Sequence, residues 1–578
     1  MLHFPSLKKS IAVLLPVCLL TACTYPGSSQ DFDAFTDELF ISDVSQNAIN
    51  LHFTLNNPEN YGITDAPVTL GEISREALLQ SAAETENTLS ALKKYKGSKL
   101  SREQQLTYDV LSDYLQSSLE LSSYTLYEEI LKPSTGIQAQ LPILYEEYQF
   151  DTKKDIENYL TLLEQTDNYY SQIAKLEQQR AKAGLFMSDY ACNTIISQCK
   201  DFIADTQNHY LITSFNKKID NFQGLSQQEQ TDYKQRNQTV LEEHVFPAYS
   251  KLASALGKLC GFGKNDKGLC YFEEGRNYYE ALVYYNTGYS HSVEEISNDI
   301  KTQRSLDLLE AANLCSVYDG LWDTCQNAVL SPSDAMSTLG TLRERMVSDF
   351  PAAPETNYSV SYIDECMEEY VAPAFYITAP IDDPNQNAIY INASTDTTSL
   401  RYFTTLAHEG FPGHLYQTVM SYQAGLPELR FLLNYPGYVE GWATYVEMIS
   451  YEYAGLETNA AKLLALNQSA ILSLYASTDI GIHYEGWDYP ETKAFWESYG
   501  ISNEKALREI YELIVEEPAH YLKYYVGYLG FLRLKQTAQE TFGDNYCDAA
   551  FHQAVLSIGP APFSVVEKYL PDYYPETT

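Results

Sequence analysis

The chain has 578 residues, with 38 lysines and arginines against 77 aspartates and glutamates, a formal net charge of -39. Such a charge repels phosphate backbones and anionic lipid headgroups alike, which excludes nucleic acid as a partner. The length allows several domains, or one large helical enzyme built as two halves around a cleft.

Residues 1–22 read as an export signal, in which Lys8 and Lys9 supply positive charge and Ile11 to Leu20 form an apolar run. That run is too short to span a bilayer. It ends in Leu20-Thr21-Ala22-Cys23, which resembles a bacterial lipobox and predicts Cys23 as the lipidated first residue of the mature chain. Residues 23–34, with Pro26 and Gly27, then form a polar tether. The expected location is the outer, extracytoplasmic face of the cell membrane, with membrane contact through the lipid anchor alone. Ten cysteines occur, and once Cys18 and Cys23 are set aside, an oxidising compartment favours local disulfides: Cys192 with Cys199, Cys260 with Cys270, Cys315 with Cys325. Cys366 and Cys547 are left over.

Helical periodicity dominates. Ser101-Arg102-Glu103-Gln104 has the form of a capping box, and Leu106, Val110, Leu115 and Leu119 follow it at helical spacing. From Asp155, a stripe of Ile156, Tyr159, Leu160, Leu163, Ile173 and Leu176 predicts a second helix that stops at Gly184. Strand character is confined to Phe375–Thr378 and Ala388–Ile391, separated by Pro380, Asp382, Asp383 and Pro384. These predict a hairpin, with Ala388, Ile389 and Tyr390 as a candidate substrate-binding edge.

The sharpest chemical signal comes next: His408-Glu409-Gly410-Phe411-Pro412-Gly413-His414, on a helix with Leu400, Phe403 and Ala407 in stripe and Thr398 as its predicted cap. Two metal-binding histidines usually stand four apart on one helix, where their directions differ by about 40°. Here they stand six apart, an offset of about 240° and a rise of about 9 Å on a regular helix. Joint ligation therefore requires the helix to break between them. Pro412 removes a backbone donor, and Gly410 and Gly413 admit unusual dihedrals, so the sequence supplies that break. A third ligand should come from a second helix. In Val439–Glu447, positions 440, 444 and 447 share one face, giving Glu440 as ligand and Thr444 and Glu447 as groups that orient the imidazoles.

The string HEGFPGH, followed by EGWATYVE, resembles a large bacterial family of mostly uncharacterised proteins, many of them lipoproteins, known as a domain of unknown function with the pattern HExxPGHxxQ. The likeness extends through Gln417 and to Tyr278-Tyr279-Glu280 with Thr287, Ile389-Tyr390-Ile391-Asn392 and Asp479-Ile480-Gly481-Ile482-His483. That family in turn resembles the helical zinc peptidases around thimet oligopeptidase, angiotensin-converting enzyme and carboxypeptidase Taq. Dipeptidyl peptidase III resembles an intermediate case, with one extra residue between its histidines. The resemblance implies His408, His414 and Glu440 as ligands of one zinc ion, Glu409 as the base that activates water, and Asp479 as a supporting acid. Pro518–Gly527 resembles a family segment that implies Tyr524 as the donor to the oxyanion, with His520 and His483 as further candidates.

The reading is a mainly α-helical, zinc-peptidase-like fold, two halves around a central cleft with a small hairpin or sheet at its edge. One domain spans 35–575, with an N-terminal half of about 35–285 and a zinc-bearing half of about 286–575. Its expected activity is zinc-dependent hydrolysis of extracytoplasmic peptides. The rivals are a peptide- or solute-binding lipoprotein without hydrolysis, and a zinc amidase acting on cell-wall or non-peptide amides. Arg401, Arg430 and Lys523 are available to hold a substrate terminus. Substrate preference and oligomeric state are left open.

Overall fold

The structure is a computed structural model and describes residues 29–263, 265–363 and 373–575. The leader, Cys23, the start of the tether and Cys366 lie outside the described residues. Helices carry the chain, as the periodicity predicts. Those that bear on function are α1 (Arg102–Ser122), α2 (Lys153–Glu164), α3 (Thr166–Ala183), α4 (Asp189–Phe202) and α5 (Phe246–Gly257) in the first part of the chain. Later come α6 (Leu400–Glu409), α7 (His414–Gln423), α8 (Pro436–Tyr453), α9 (Thr458–Ile480) and α10 (His520–Phe542). No single helix among the described residues is long and apolar enough to cross a membrane.

The local signals form as their chemistry requires. Ser101 Oγ accepts from the Gln104 N–H while the Gln104 side chain accepts from the Ser101 N–H, so the capping box starts α1. Leu106, Val110 and Leu115 of its stripe are buried. The helix predicted from Asp155 is instead two, α2 and α3, broken at Gln165. The Gln165 side chain accepts from the Leu70 N–H and donates to the Val68 carbonyl, so it pins a neighbouring segment across the joint. Gly184 ends α3 with φ 77°, the left-handed turn that glycine adopts without a Cβ clash.

Two apolar cores result. One gathers residues between Leu131 and Leu256, with Ile49 and Ile73. The other joins residues Phe32 to Leu115 with much of the chain from Leu269 onward, including α6 to α10. The halves are therefore not halves of the sequence: the first helices cross over to pack with the C-terminal core, so a division near residue 285 does not describe them. A cavity of about 780 Å³ opens between the cores, lined by Ile73, Lys132 and Leu141 on one side and His414, Glu440 and Lys523 on the other.

The predicted hairpin exists as β2 (Ala374–Ile377) and β3 (Asn387–Ile391), paired antiparallel. A further strand, β1 (Tyr358–Tyr362), adds parallel to β3 and gives the order β1-β3-β2. This corrects the substrate-edge assignment. Ala388, Ile389 and Tyr390 sit on the central strand with neighbours on both sides, and the Tyr390 hydroxyl donates to Glu147. Among the described residues β2 is the edge strand on the cavity side, and its Tyr376 and the following Thr378 line the cavity.

The cysteines also differ from expectation. Cys192 and Cys199 stand seven apart on α4, about 10 Å of helical rise, too far to be bridged. Cys192 Sγ instead lies 3.0 Å from Cys260 Sγ, just beyond α5. Cys270 faces the Ile482 carbonyl and Cys325 the Ala460 carbonyl, and Cys315 and Cys325 are free thiols, so none of the three local bridges forms.

Candidate metal centre

Ser399, one residue after the predicted Thr398, caps α6 by accepting from the Tyr402 N–H; the Thr398 hydroxyl donates to Asp396 instead. The helix then stops at Glu409, and α7 begins at His414. Gly410 and Gly413 take dihedrals outside the helical region, with a cis Phe411–Pro412 bond between them. Gly413 is required by space: a Cβ there would lie 1.8 Å from the His408 carbonyl oxygen. The Trp442 indole of α8 donates to the Pro412 carbonyl at 2.9 Å and ties the turn to the helix that carries Glu440. The break needed for convergence thus occurs where the glycines and the proline stand.

His408 at the end of one helix and His414 at the start of the next bring their rings to 4.8 Å, nearly perpendicular. Glu440 Oε2 lies 3.6 Å from His408 Nε2 and 3.4 Å from His414 Nε2. These separations exceed an ordinary N–H···O bond of about 2.7–3.2 Å. They match the spacing of about 3.4 Å between tetrahedral ligands placed about 2.1 Å from a common ion. Glu440 Oε2 is buried without a hydrogen-bond partner, a state that is costly for a carboxylate unless a cation compensates it. The donor set of two imidazole nitrogens and a carboxylate oxygen, with space beside it, fits zinc.

Glu409, almost wholly buried, belongs to the same group: it offers a ligand atom that lies with those of His408 and His414 within 4.8 Å of one another. Its Oε2 accepts the Tyr376 N–H from the edge strand β2 at 3.0 Å, a contact that sequence reasoning missed. Glu447 Oε2, on the same face of α8 as Glu440, stands 3.2 Å from His408 Nδ1. Burial alone would lower the His408 imidazole, but Glu440 and Glu447 carry it up to about 10. Thr444 is buried on the same face, yet among the described residues it makes no hydrogen bond to either imidazole.

Helix α10 forms the facing wall. Its Tyr524 ring centroid lies 6.5 Å from that of His408 and 5.6 Å from that of His520. Burial, and then Glu440 and Glu409, raise the phenol well above its usual value, so it keeps its proton. His520 Nε2 is buried without a partner, and burial lowers that imidazole to about 3, leaving it neutral. Asp479 orients this wall and not the imidazoles. Its Oδ1 accepts from the Tyr279 hydroxyl at 2.6 Å and from the Ala519 N–H at 2.9 Å, holding Ala519 at φ 60° just before α10 begins. His483 is outside the centre altogether. Its Nδ1 accepts from the Leu269 N–H and its Nε2 meets the Ile514 carbonyl, so both nitrogens serve the backbone. The two walls touch directly: a Cβ on Gly441 of α8 would lie 2.4 Å from the Gly527 carbonyl carbon of α10.

A family model described as "Bacterial protein of unknown function (DUF885)" matches residues 59–299 and 326–570. No curated protein matches the sequence. Among solved structures, a protein from Colwellia psychrerythraea designated a candidate lipoprotein superposes with a TM-score of 0.83 at 19% identity, over 95% of this chain and 100% of the other. A candidate lipoprotein of unknown function from Shewanella oneidensis gives a TM-score of 0.67 at 16% identity, over 93% of this chain and 99% of the other. At these identities the likeness establishes the fold.

Proposed function

The chain belongs to the DUF885 family, bacterial proteins of unknown function, and on that fold we propose a zinc-dependent peptidase that hydrolyses extracytoplasmic peptides. His408, His414 and Glu440 would hold one zinc ion, which when bound supplies the positive charge that polarises a scissile carbonyl and acidifies water. Glu409, fixed by the Tyr376 N–H, takes the proton of the attacking water and passes it to the leaving amine. The Tyr524 hydroxyl donates to the developing oxyanion, and the neutral His520 provides a second donor on the same wall. An extended substrate would lie in the cavity beside Glu409, where Tyr376 and Thr378 line it. A lipid anchor on Cys23 belongs to the same proposal and is supported by the lipoprotein designation of both structural neighbours.

The observation that carries this reading is the placement of Glu440 Oε2 at 3.4 and 3.6 Å from two imidazole nitrogens, with Glu409 in the same cluster. Elemental mass spectrometry on purified residues 24–578 tests it. We expect near one zinc per chain, lost in His414→Ala and in Glu440→Ala. A zinc-loaded attempt that leaves the wild type empty would overturn the peptidase and favour a binding protein.

A further inference from the structure

Lys523 is 7% exposed and lines the cavity between the two cores. A buried ammonium normally finds a carboxylate or a set of carbonyls, because leaving it unpaired is costly. Among the described residues Lys523 makes neither an ion pair within 4 Å nor a hydrogen bond, and its Nζ stands 5.1 Å from the centroid of the Tyr524 ring. Three residues earlier on α10, and so on the same face, stands His520, whose Nε2 is likewise buried without a partner. The Lys523 ammonium and His520 Nε2 thus line the cavity from one helical turn, while His520 Nδ1 faces Glu517 at 3.7 Å.

The neighbouring acids are already committed. Glu517 accepts from the Ser134 and Thr135 hydroxyls at 2.6 and 2.5 Å and lies 3.8 Å from Lys132. Glu516 is raised to about 9 by burial, then by Glu517 and Glu512, so it is protonated near neutral pH. Glu440 faces the two imidazoles. Burial lowers the Lys523 ammonium, while Glu440 and Glu517 act to retain its charge. Of the other cations the sequence offered, Arg430 is buried away from the cavity lining with its Nη2 on the Ile558 and Pro560 carbonyls, and Arg401 is exposed at the start of α6.

We propose that Lys523 receives the free C-terminal carboxylate of the substrate, which makes the protein a carboxypeptidase that trims peptides one or two residues from their end. The inference rests on the peptidase reading for its chemistry, but not for the anion subsite itself. The scale fits: each extended residue advances about 3.3–3.6 Å, and Lys523 is within one turn of Tyr524, whose ring is 6.5 Å from that of His408. The overall charge of -39 opposes an anionic ligand, so a preference for one must come from a local group.

The test pairs N-acetylated pentapeptides as free acids and as C-terminal amides. kcat/KM is measured on the zinc-loaded wild type, and Kd by calorimetry on Glu409→Gln. We expect the free acid to be favoured about tenfold or more in both, the size of one charge-assisted hydrogen bond. In Lys523→Met the preference should vanish, and in Lys523→Arg it should partly return. Equal binding of acid and amide by the Glu409→Gln chain, or a preference that survives Lys523→Met, overturns the subsite. A preference in binding that Lys523→Met abolishes, without turnover of any peptide by the wild type, supports the subsite and overturns the peptidase reading instead.

Discussion

Glu447 Oε2 lies 3.2 Å from His408 Nδ1, while the opposite nitrogen of the same ring lies 3.6 Å from Glu440. With zinc bound, a carboxylate on Nδ1 would hold the proton there and leave the Nε2 lone pair for the ion. Glu447→Gln should therefore weaken zinc binding by about 10- to 100-fold without removing a ligand. Competition against a chromophoric chelator measures it, and an unchanged affinity would make Glu447 a bystander.

Glu409 is held by the Tyr376 N–H and stands beside His408 and His414 without being one of the three proposed ligands. Its replacement by Gln should retain the metal and reduce kcat by about 100- to 10,000-fold, the range for loss of a general base. Metal content and turnover on the same preparation separate this outcome from loss of the centre.

His552 gives a pH dependence of stability. Its ring stacks on Phe350, Nδ1 meets the Asp349 carbonyl at 2.6 Å and Nε2 meets the Tyr445 hydroxyl at 3.0 Å. Burial lowers its pKa from 6.5 to about 4, with the Asp349 contact opposing. Between those values the unfolded chain binds the extra proton, so this contribution is complete above about pH 6.5 and lost as pH falls toward 4, by at most about 1.4 kcal/mol per pH unit. Asp479 and Glu516, both raised by burial, act in the opposite sense. The difference in slope between wild type and His552→Gln, read from urea midpoints at several pH values, isolates the imidazole.

Non-reducing peptide mapping of the protein prepared under oxidising conditions should join Cys192 to Cys260, whose sulfurs are 3.0 Å apart, and should find none of the pairs 192–199, 260–270 or 315–325. Cys260→Ser should then lower the thermal midpoint only under oxidising conditions.

The cluster of candidate side chains was legible in sequence because its parts are local. His408, Glu409 and His414 share seven residues with the glycines and proline that break their helix, and Glu440 and Glu447 share one face of α8. What failed was decided by contacts distant along the chain. Nothing in Ser359 and Ser361 marks β1 as a strand, since it forms by pairing parallel to β3 across a long connection. Strand order likewise gave the edge on the cavity side to β2 and not to Ala388–Tyr390. His483 looked catalytic by its neighbours in sequence, but the Leu269 and Ile514 backbones claim both its nitrogens. Cys192 was matched to its neighbour in sequence, whereas a partner 68 residues away lies beside it.

The contact between Gly441 and Gly527 places the backbone of the helix bearing Glu440 against that of the helix bearing Tyr524 and Lys523, and a single added methyl on either glycine would collide with main-chain atoms. A descendant of this protein could thus keep every charged and aromatic group of the cleft and still have its two walls forced apart by one alanine. Under the proposed function, a glycine at both crossing positions is a stricter criterion for an intact cleft than the three proposed ligands alone.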